Sequence, residues 1–428
     1  MEAYGLLGEH LGHTLSPLVH KLLWNCPFGV FEVPPQELGD FLARREFRGL
    51  MVTIPYKKAV IPFCDSLDPI AERLGSVNMI QVEPDGTLKG YNTDYYGFMY
   101  MVKRAGINLQ GAKVLILGTG GAAAAVTAVA EDMNAREIVH VSRRGPVDYT
   151  SVSALHSDAE VIINATPVGM YPNNDACPIR LTGFRRCRGV LDVIYNPLRT
   201  MLLLEAEHRG IPCEGGLTML VAQAKRAAEL FTGKELPDAR IGEVCSNIME
   251  AVCNIVLIGM PGSGKSYLGG LIAKAFGREL INMDTYIEDV QGKSIPDIFA
   301  QQGEAAFRDM EVEASRVLGR KNGLVISAGG GTVVRKESMD ALRQNGCVFF
   351  VDRPLSELAT EGRPLSQGGE SALQKLYDAR IGLYTGYADV SILNTTGMSV
   401  EHIAETVLRE YEKVCRLASL PLWEQKQI

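Results

Sequence analysis

Residues 255–266 read IVLIGMPGSGKS, an apolar run that leads into a glycine-rich turn. The turn and the residues that close it are Gly259, Gly262, Ser263, Gly264, Lys265 and Ser266. Glycines at this spacing let backbone N–H groups surround an anion at the start of a helix, where the helix dipole also favours negative charge. Lys265 can reach the outer phosphates of a nucleotide, and the Ser266 hydroxyl can ligate Mg²⁺. The turn therefore predicts a phosphate-binding loop that takes a nucleotide with Mg²⁺, although the loop alone does not name the substrate.

A second glycine-rich turn follows the apolar run KVLIL at 113–117 and opens the alanine-rich stretch at 121–132. Its residues are Gly118, Gly120, Gly121, Ala122 and Ala123. This is the dinucleotide fingerprint, with alanine in place of the last glycine. The first glycine allows the tight turn, the second lets the pyrophosphate approach, and the small last residue lets the helix pack closely.

The cofactor of this second turn is predicted from the end of the next strand, which reads IVHVSRR. An NAD-specific enzyme places an acidic residue there, against the ribose hydroxyls. This chain has Ser142, Arg143 and Arg144 instead, and guanidinium groups suit a 2′-phosphate. We therefore expect NADP(H).

The elements that must position these turns alternate between short apolar runs and helical stretches, which is the rhythm of a parallel α/β sheet. The rhythm runs through VLILG at 114–118, EVIINA at 160–165 and GVLDVIY at 189–195, and it restarts at 255. Before residue 106, short strands and helices mix, which indicates a separate α/β lobe. The segment 233–253 contains no long Gly/Ser or Pro linker. A chain of 428 residues fits two or three such domains.

Composition excludes several classes of protein. The net charge of −7 argues against a general nucleic-acid binder. Nine scattered cysteines without a C-x-x-C pair suggest neither a zinc site nor a disulfide framework, and they are typical of reduced thiols. No apolar run approaches 18 residues, and the first residues lack a basic segment followed by an apolar one. We expect a cytoplasmic protein without a membrane span.

The first half of the chain resembles shikimate dehydrogenase. The matching motifs are HTLSP (13–17), VTIPYKK (52–58), GSVN (75–78), GYNTD (90–94), GTGGAA (118–123), INATPVGM (163–170), DVIYNP (192–197) and GGLTMLVAQA (215–224). The family reduces 3-dehydroshikimate with NADPH, so the resemblance implies Lys57 and Asp94 as the catalytic pair. An ammonium paired with a carboxylate can donate a proton to the developing alkoxide. Lys58 is the alternative, and the family pattern favours Lys57.

The same resemblance implies a set of substrate contacts that are all hydrogen-bonding residues, suited to a polyhydroxylated ring acid. They are Thr14, Ser16, Thr53, Asn78, Asn92, Tyr195 and Gln223. Thr14 stands where a serine is commoner, and Met51 stands where an asparagine often precedes Val-Thr. Threonine keeps the hydroxyl, so we expect carboxylate binding to survive. Gln223 follows the dinucleotide segment, so its helix must return to the first lobe.

The second half resembles shikimate kinase over about 160 residues. The matching motifs are DTYIE (284–288), GEAAFRDME (303–311), SAGGGTVV (327–334), GRPL (362–365) and ARIGLYTGYAD (379–389). The resemblance implies Asp284 for the ring hydroxyls and proton acceptance, Arg308 and Arg380 for the carboxylate, and Gly330 and Gly331 for close backbone approach to the ring. It implies Tyr384 and the lid residue Arg363 as nucleotide contacts. Phosphoryl transfer depends mainly on positioning and charge neutralisation, which fits a set of basic residues, glycines and one Mg²⁺.

One residue departs from the kinase pattern. Asn282 stands two residues before Asp284, where the family usually has a second aspartate near the metal. We expect its neutral carbonyl to hold a metal-bound water and to attract Mg²⁺ less strongly than a carboxylate.

These features predict an α/β protein with three domains. They are a substrate-binding lobe at 1–105 with a returning helix at 217–240, a Rossmann NADP-binding domain at 106–216, and a P-loop domain of the nucleoside-monophosphate-kinase type at 250–416. The implied function is reduction of 3-dehydroshikimate to shikimate and phosphorylation of shikimate to its 3-phosphate, on small molecules and not on nucleic acid. Two alternatives remain open: a quinate or broader hydroxy-acid dehydrogenase in the first half, and a nucleotide- or shikimate-binding regulatory module without turnover in the second.

Overall fold

The computed structural model describes residues 4–12, 14–358 and 369–417. The chain divides into two compact units. The first contains residues up to Tyr195 together with Thr200–Ile248, and the second contains Asn196–Arg199 and Met249–Leu417. Two sheets belong to the first unit and one sheet to the second, all combined with helices, so the predicted α/β class is confirmed.

The first sheet is mixed and has six strands. They are β1 (Tyr4–Gly8), β2 (Phe28–Glu32), β3 (Gly49–Val52), β4 (Ser66–Leu67), β5 (Met79–Val82) and β6 (Leu88–Tyr91). Their order is β2-β1-β3-β5-β6-β4, and β5 runs antiparallel to both β3 and β6. The accompanying helices are α1 (Ser16–Trp24), α2 (Leu38–Arg44), α3 (Pro69–Leu74) and α4 (Asp94–Arg104).

The second sheet is wholly parallel and has five strands in the order β11-β10-β9-β7-β8. In chain order these are β7 (Lys113–Leu117), β8 (Glu137–Val141), β9 (Val161–Asn164), β10 (Gly189–Asp192) and β11 (Cys213–Glu214). The helices are α5 (Gly121–Asp132), α6 (Val152–Leu155), α7 (Met201–His208) and α8 (Leu217–Thr232). All five residues of β7 are buried, as a strand covered on both faces must be. Helix α8 packs against α1 and α4 of the first lobe.

Helix α9 (Ala239–Val252) leads into the third sheet, which is also wholly parallel. Its strands are β12 (Asn254–Ile258), β13 (Leu280–Asn282), β14 (Val325–Ser327), β15 (Gly346–Asp352) and β16 (Val390–Leu393). The order is β13-β14-β12-β15-β16, so the strand order reverses beside β12. In such sheets ligands bind at the carboxyl ends of the strands, at this switch point. The phosphate-binding loop follows β12 directly.

The helices of the third sheet are α10 (Lys265–Phe276), α11 (Met283–Gln291), α12 (Ile295–Gly319), α13 (Lys336–Arg343), α14 (Gly369–Tyr387) and α15 (Val400–Leu417). Helix α12 is interrupted at Gly303, whose φ of 81° and ψ of 174° are not helical. Ser294 caps its start through a hydrogen bond from the backbone N–H of Asp297, at 3.3 Å. The second stretch of α12 carries Arg308 towards the site.

Within the described part of the chain, no helix is both long enough and apolar enough to cross a membrane. All nine cysteines are free thiols.

Candidate active sites

In the first unit, Lys57 and Asp94 form a close ion pair. Lys57 lies in the turn after β3, Asp94 is the first residue of α4, and the Lys57 Nζ to Asp94 Oδ2 distance is 2.5 Å. The side chains are only 18% and 8% exposed. Lys58, the alternative, is exposed. The structure therefore brings the predicted pair together and leaves Lys58 outside it.

Asp94 is held by a buried amide network. The Asn78 Nδ2 donates to Asp94 Oδ1 at 2.9 Å and to the Thr93 hydroxyl at 3.0 Å. The Thr93 hydroxyl also donates to Gln223 Oε1 at 3.1 Å, and Gln223 lies on α8. Thr93 is 2% exposed, and sequence reasoning missed it, because its partners lie far away in the sequence. The network fixes the carboxylate that faces Lys57.

The other predicted substrate residues make three separate sets of contacts. The Thr14 hydroxyl donates to Ser16 Oγ at 3.1 Å, and Thr14 also hydrogen-bonds to Tyr195. Burial raises the pKa of Tyr195, which keeps the phenol protonated. Thr53 lies at the end of β3, where its N–H bonds to the Leu7 carbonyl at 3.0 Å. Asn92 donates from Nδ2 to the Ser76 carbonyl at 2.8 Å, so its amide supports the chain near Lys57.

The dinucleotide turn has the shape that a bound pyrophosphate needs. Gly118 has a φ of +102°, and a Cβ there would lie 2.7 Å from the Thr166 methyl. Gly120 precedes α5 without a side-chain cap, so the first N–H groups of the helix have no side-chain acceptor at the cap. Ala122 and Ala123 lie in its first turn, and Ala123 is buried. These residues fit NADP(H), because glycines and bare amides are the groups that bind pyrophosphate.

Ser142, Arg143 and Arg144 follow β8, the strand next to β7 at the edge of the sheet. Both arginines are exposed, and Ser142 is half-buried. Because both guanidinium groups are exposed, a phosphate can reach them from solvent.

A buried carboxylate, that of Asp192, supports the dinucleotide turn through intermediate side chains. Asp192 ends β10 and accepts hydrogen bonds from Asn164 Nδ2 at 3.0 Å and from the Thr200 hydroxyl at 2.7 Å. Burial raises its pKa to about 7, and the hydrogen bonds oppose that rise. The Asn164 Oδ1 in turn accepts from the Thr166 hydroxyl at 2.7 Å, next to Gly118. Asp192 and Asn164 lie within the motifs DVIYNP and INATPVGM, but their partnership across 28 positions has no local signal in the sequence.

In the second unit, the loop after β12 has the backbone of a phosphate cradle. Gly259, Gly262 and Gly264 have φ values of +148°, +87° and +89°, a region that favours glycine. The Lys265 Nζ donates to the Gly259 carbonyl at 3.0 Å and to the Met260 carbonyl at 2.9 Å, so the ammonium lies over the loop. These residues fit a nucleotide phosphate with its cation, since the amides and the lysine can donate hydrogen bonds to phosphate and the Ser266 hydroxyl oxygen can ligate the cation.

One side chain that was not predicted from the sequence, Asn394, holds the phosphate-binding loop. The Asn394 Nδ2, at the end of β16, donates to the Ser263 carbonyl at 2.7 Å. A Cβ on Gly264 would lie 2.8 Å from the same Nδ2, so only glycine fits there. The Ser263 side chain is itself buried. Asn394 therefore fixes the shape of the cradle from the end of β16, which is separated from β12 by β15.

Asn282 faces Ser266, but not as predicted. Its Oδ1 accepts from the N–H groups of Asp284 at 3.0 Å and Thr285 at 3.4 Å, which makes it the N-cap of α11. Its Nδ2 therefore points to Ser266 Oγ, at 2.9 Å. An amide nitrogen is a donor and cannot ligate a cation, so the expected carbonyl contact with a metal-bound water is corrected. Ser266 Oγ also lies 3.2 Å from Ser327 Oγ.

Arg308 is held by two acids on its own helix. Its NH1 lies 2.5 Å from Glu311 Oε2, and its NH2 lies 2.8 Å from Glu304 Oε1. Glu311 is 2% exposed as a side chain and also accepts from the Thr332 hydroxyl at 2.8 Å. Burial raises the pKa of Glu311, and Arg308 opposes the rise. A Cβ on Gly331 would overlap the guanidinium, so this glycine leaves the space that Arg308 occupies.

Arg380 and Tyr384 meet at the glycine turn after β14. Arg380 NH1 donates to the Gly330 carbonyl at 3.0 Å, and the Tyr384 hydroxyl donates to the same oxygen at 2.6 Å. Tyr384 is fully buried and stacks on Phe350 with ring centroids 5.1 Å apart. The predicted nucleotide contact of Tyr384 is thus corrected: the side chain positions the glycine turn instead.

Asp284 completes this site. A Cβ on Gly329 would lie 2.9 Å from Asp284 Oδ1 and 2.7 Å from Glu311 Oε1, so the two carboxylates flank the glycine turn. Asp284, Arg308, Arg380, Gly330 and Gly331 therefore border one region beside the phosphate loop. Arg363 lies outside the described residues. Among the described residues, no three His, Cys, Asp or Glu side chains are grouped to hold a metal ion.

Two α/β units with separate nucleotide loops and separate charged sites are what a dehydrogenase fused to a small-molecule kinase requires. Comparison with known proteins agrees with this class. The family model described as Shikimate dehydrogenase substrate binding domain matches residues 6–80, and the one described as Shikimate kinase matches residues 261–412.

Relatives extend the first match over the whole N-terminal half. Shikimate dehydrogenase (NADP(+)) of Moorella thermoacetica is 36% identical over 275 residues, which cover 58% of this chain and 93% of that relative. The chain belongs to the shikimate dehydrogenase family through this half, and it carries a shikimate kinase domain after it. It is a bifunctional shikimate-pathway enzyme, and a second half without turnover is not favoured.

Solved structures agree with the relatives. Shikimate dehydrogenase 1 from Peptoclostridium difficile is 31% identical with a TM-score of 0.54, over 58% of this chain and 98% of that one. Shikimate 5-dehydrogenase from Thermus thermophilus, solved in complex with NADP(H) and shikimate, is 30% identical with a TM-score of 0.51, over 57% of this chain and 98% of that one.

Proposed function

We propose that the first unit reduces 3-dehydroshikimate to shikimate with NADPH, and that the second phosphorylates the 3-hydroxyl of shikimate with ATP. The observation that carries the dehydrogenase assignment is the position of the Lys57–Asp94 pair beside the dinucleotide turn. The Cδ of Lys57 lies 3.4 Å from where a Cβ of Gly121 would be, at the start of α5. The acid–base pair therefore borders the place where the cofactor binds.

NADPH supplies the hydride when it is bound. The protein's part is to orient the ketone and to supply the proton. Thr14, Ser16 and Tyr195 would offer hydroxyls to the substrate carboxylate and ring, and Asn78 holds Asp94 and Gln223 in place. As the ketone oxygen gains negative charge, Lys57 Nζ donates a proton to it. Asp94 stabilises the ammonium before transfer and orients the amine for reprotonation.

For the kinase, Mg²⁺ supplies charge neutralisation on the nucleotide phosphates when it is bound. Gly262, Ser263, Gly264 and Lys265 would hold the phosphates, and Ser266 would ligate the metal. Arg308 and Arg380 bind the shikimate carboxylate, and Asp284 accepts the proton of the attacking hydroxyl. Gly330 and Gly331 would let the backbone approach the ring closely, at the turn that Arg380 and Tyr384 fix. This division of roles fits a reaction that depends on positioning and charge.

The domain division that goes with this function is a substrate lobe at 1–105 with its returning helix at 217–240, an NADP domain at 106–216 and a kinase domain at 250–416. We place both reactions in the cytoplasm, where free thiols persist, and we expect no nucleic-acid substrate. Asn92, Thr53 and Arg363 remain predicted contacts of substrate or nucleotide.

The experiment that tests the function supplies the purified chain with 3-dehydroshikimate, NADPH and Mg-ATP and follows the products by mass spectrometry. Shikimate 3-phosphate should form, together with stoichiometric NADP⁺ and ADP. With ATP omitted, shikimate should accumulate; with NADPH omitted, neither product should form unless shikimate is added. If the chain reduces 3-dehydroshikimate but phosphorylates shikimate at no Mg²⁺ concentration, the kinase assignment is wrong and only the dehydrogenase assignment is supported.

A further inference from the structure

The hydroxyl of Ser76 is a buried polar group for which the fold provides no partner. Ser76 is fully buried, and its Oγ makes no hydrogen bond to any atom in the described part of the chain. Its backbone groups are both satisfied: the N–H donates to the Ala71 carbonyl at 3.3 Å, and the C=O accepts from Asn92 Nδ2 at 2.8 Å. A buried hydroxyl without a partner destabilises the protein, so a partner from a ligand is worth seeking.

The position of this hydroxyl indicates which ligand that is. Ser76 belongs to the substrate lobe, between α3 and β5, yet its Oγ lies 4.0 Å from the Cβ position of Gly121. Gly121 begins α5, a helix of twelve residues with no side-chain cap and no acidic residue in its first turn. The aliphatic stem of Lys57 borders the same point. A helix start without a side-chain cap favours an anion. Here it lies close to the Ser76 hydroxyl, a donor without a hydrogen-bond partner among the described residues.

We propose that Ser76 donates a hydrogen bond to an oxygen of the diphosphate–ribose segment of NADPH bound at the start of α5. The inference rests on the proposed dehydrogenase function and adds a cofactor contact from the lobe that otherwise binds substrate. Because the same residue's carbonyl is held by Asn92, and the next residue's N–H bonds to the Lys57 carbonyl at 2.8 Å, this contact also links cofactor binding to the segment that carries the catalytic lysine.

The contact has a signature that a purely structural serine lacks. Removing an unpartnered hydroxyl from the ligand-free protein should not destabilise it, since no bond is lost. Removing the same hydroxyl from the complex loses a hydrogen bond to a charged or polar oxygen of the ligand. Stability without ligand and affinity for NADPH should therefore respond differently to one substitution.

The test compares wild type, Ser76→Ala and the control Ser157→Ala, an exposed serine of the same unit. Dissociation constants are measured by isothermal titration calorimetry for NADPH and for adenosine 2′-monophosphate, which carries the adenine and 2′-phosphate but no diphosphate. We expect Ser76→Ala to weaken NADPH binding about 5- to 20-fold, as the loss of one such bond implies. Binding of the fragment should stay unchanged, and so should both affinities in the control.

Thermal unfolding of the ligand-free proteins completes the test, and Ser76→Ala should melt at or above the wild-type temperature. Equal NADPH affinity in wild type and Ser76→Ala would overturn the contact and assign the hydroxyl to a buried water. Equal weakening of both ligands with a lowered melting temperature would overturn it in favour of a structural role. Failure of the wild type to bind NADPH at all would overturn the dehydrogenase proposal, and the Ser76 contact with it.

Discussion

Glu311 and Arg308 form a buried ion pair one turn apart on α12, with 2.5 Å between Glu311 Oε2 and Arg308 NH1. The Thr332 hydroxyl fixes the other oxygen of the carboxylate at 2.8 Å. The guanidinium is thereby aimed at the glycine turn, where the second proposed carboxylate-binding residue, Arg380, also bonds. Glu311 is thus a positioning residue that acts through Arg308.

The pair predicts a specific kinetic effect. Glu311→Gln should raise KM for shikimate at least tenfold, because the Arg308 guanidinium loses the charged carboxylate that positions it. KM for ATP should change less than threefold. In general, breaking a buried ion pair costs about 3–5 kcal/mol. Initial rates with each substrate varied in turn measure the split. Glu304→Gln is the matched control, since Glu304 contacts the same guanidinium but is 59% exposed, and its effect should be small. A larger effect from Glu304→Gln than from Glu311→Gln would contradict the assignment.

The two activities should be separable by single substitutions. Lys57→Ala should lower the reductase kcat by about 10²- to 10⁴-fold, the usual contribution of a general acid, and leave the kinase unchanged. Lys58→Ala is the control, because Lys58 is the exposed neighbour and should retain near wild-type reduction. Coupled assays of NADPH oxidation and ADP release measure both activities on one preparation.

Lys265→Ala should produce the reverse pattern, because it removes the ammonium that lies over the phosphate loop. Circular dichroism should show intact secondary structure in both variants. Equal loss of both activities in either folded variant would contradict independent sites.

The cofactor preference should depend on the exposed arginines after β8. Replacing Arg143 and Arg144 with alanine should raise KM for NADPH by about 10- to 100-fold, since each charged hydrogen bond is worth roughly 1.5–3 kcal/mol and exposure reduces it. KM for NADH should change less than threefold, because NADH has no 2′-phosphate. A wild-type enzyme that prefers NADH would disprove the assignment.

Much of the fold and both nucleotide loops could be predicted from local sequence. Gly118 and Gly259 are visible because backbone with φ of +102° or +148° requires glycine, and the apolar runs beside them can only be buried parallel strands. The Lys57–Asp94 pair was accessible only through family resemblance, since nothing local distinguishes Lys57 from Lys58. The structure separates them by burial.

What the sequence could not show is which polar side chains bind each other across long separations. Thr93 meets Gln223 from 130 positions away, and Asn394 meets Ser263 from 131. Such pairs depend on how elements pack, not on spacing. Tyr384 was assigned to nucleotide from its motif, and the stacking on Phe350 that buries it has no local signal. Asn282 was correctly predicted to lie near Ser266. Its Oδ1 caps the start of α11, however, so its Nδ2 and not its carbonyl oxygen faces Ser266.

Acid should destabilise the dehydrogenase unit partly through His20. Burial lowers the pKa of His20 to about 3; its Nδ1 accepts from Trp24 Nε1 at 3.0 Å, and it stacks on Phe28. Between pH 6.5 and pH 3 the unfolded chain therefore binds a proton here that the native state does not. The free energy of unfolding should fall through this window by about 1.4 kcal/mol per pH unit as pH drops.

His20→Gln removes this dependence while keeping an acceptor for Trp24. From pH 7 to pH 5, the free energy of unfolding of the wild type should fall by about 2 kcal/mol more than that of the variant. This difference corresponds to the one proton that the unfolded wild-type chain binds at His20 below about pH 6.5. Denaturant unfolding at the two pH values measures the difference, read on the transition that NADPH stabilises. Parallel losses in the two proteins would show that His20 is not a source of acid sensitivity.

Asn282 should set the Mg²⁺ requirement of the kinase. Its Oδ1 is committed to the backbone N–H groups of Asp284 and Thr285, so the amide Nδ2 lies against Ser266 Oγ, the proposed metal ligand. In Asn282→Asp one carboxylate oxygen can keep the helix cap while the other replaces the amide beside Ser266. The added charge should attract Mg²⁺ more strongly.

Titration of Mg²⁺ at saturating ATP and shikimate tests this, and Asn282→Asp should reach half-saturation at about three- to tenfold lower metal, which corresponds to roughly 0.6–1.4 kcal/mol. Asn282→Ala is the control: losing the cap should cost about 0.5–2 kcal/mol of stability, but without a new charge its metal requirement should not fall. Coinciding curves for wild type and Asn282→Asp would mean that the charge at this position does not reach the metal. A wild type that phosphorylates at no Mg²⁺ concentration, with activity restored in Asn282→Asp, would instead make the second unit a shikimate-binding module that lost turnover at this one side chain.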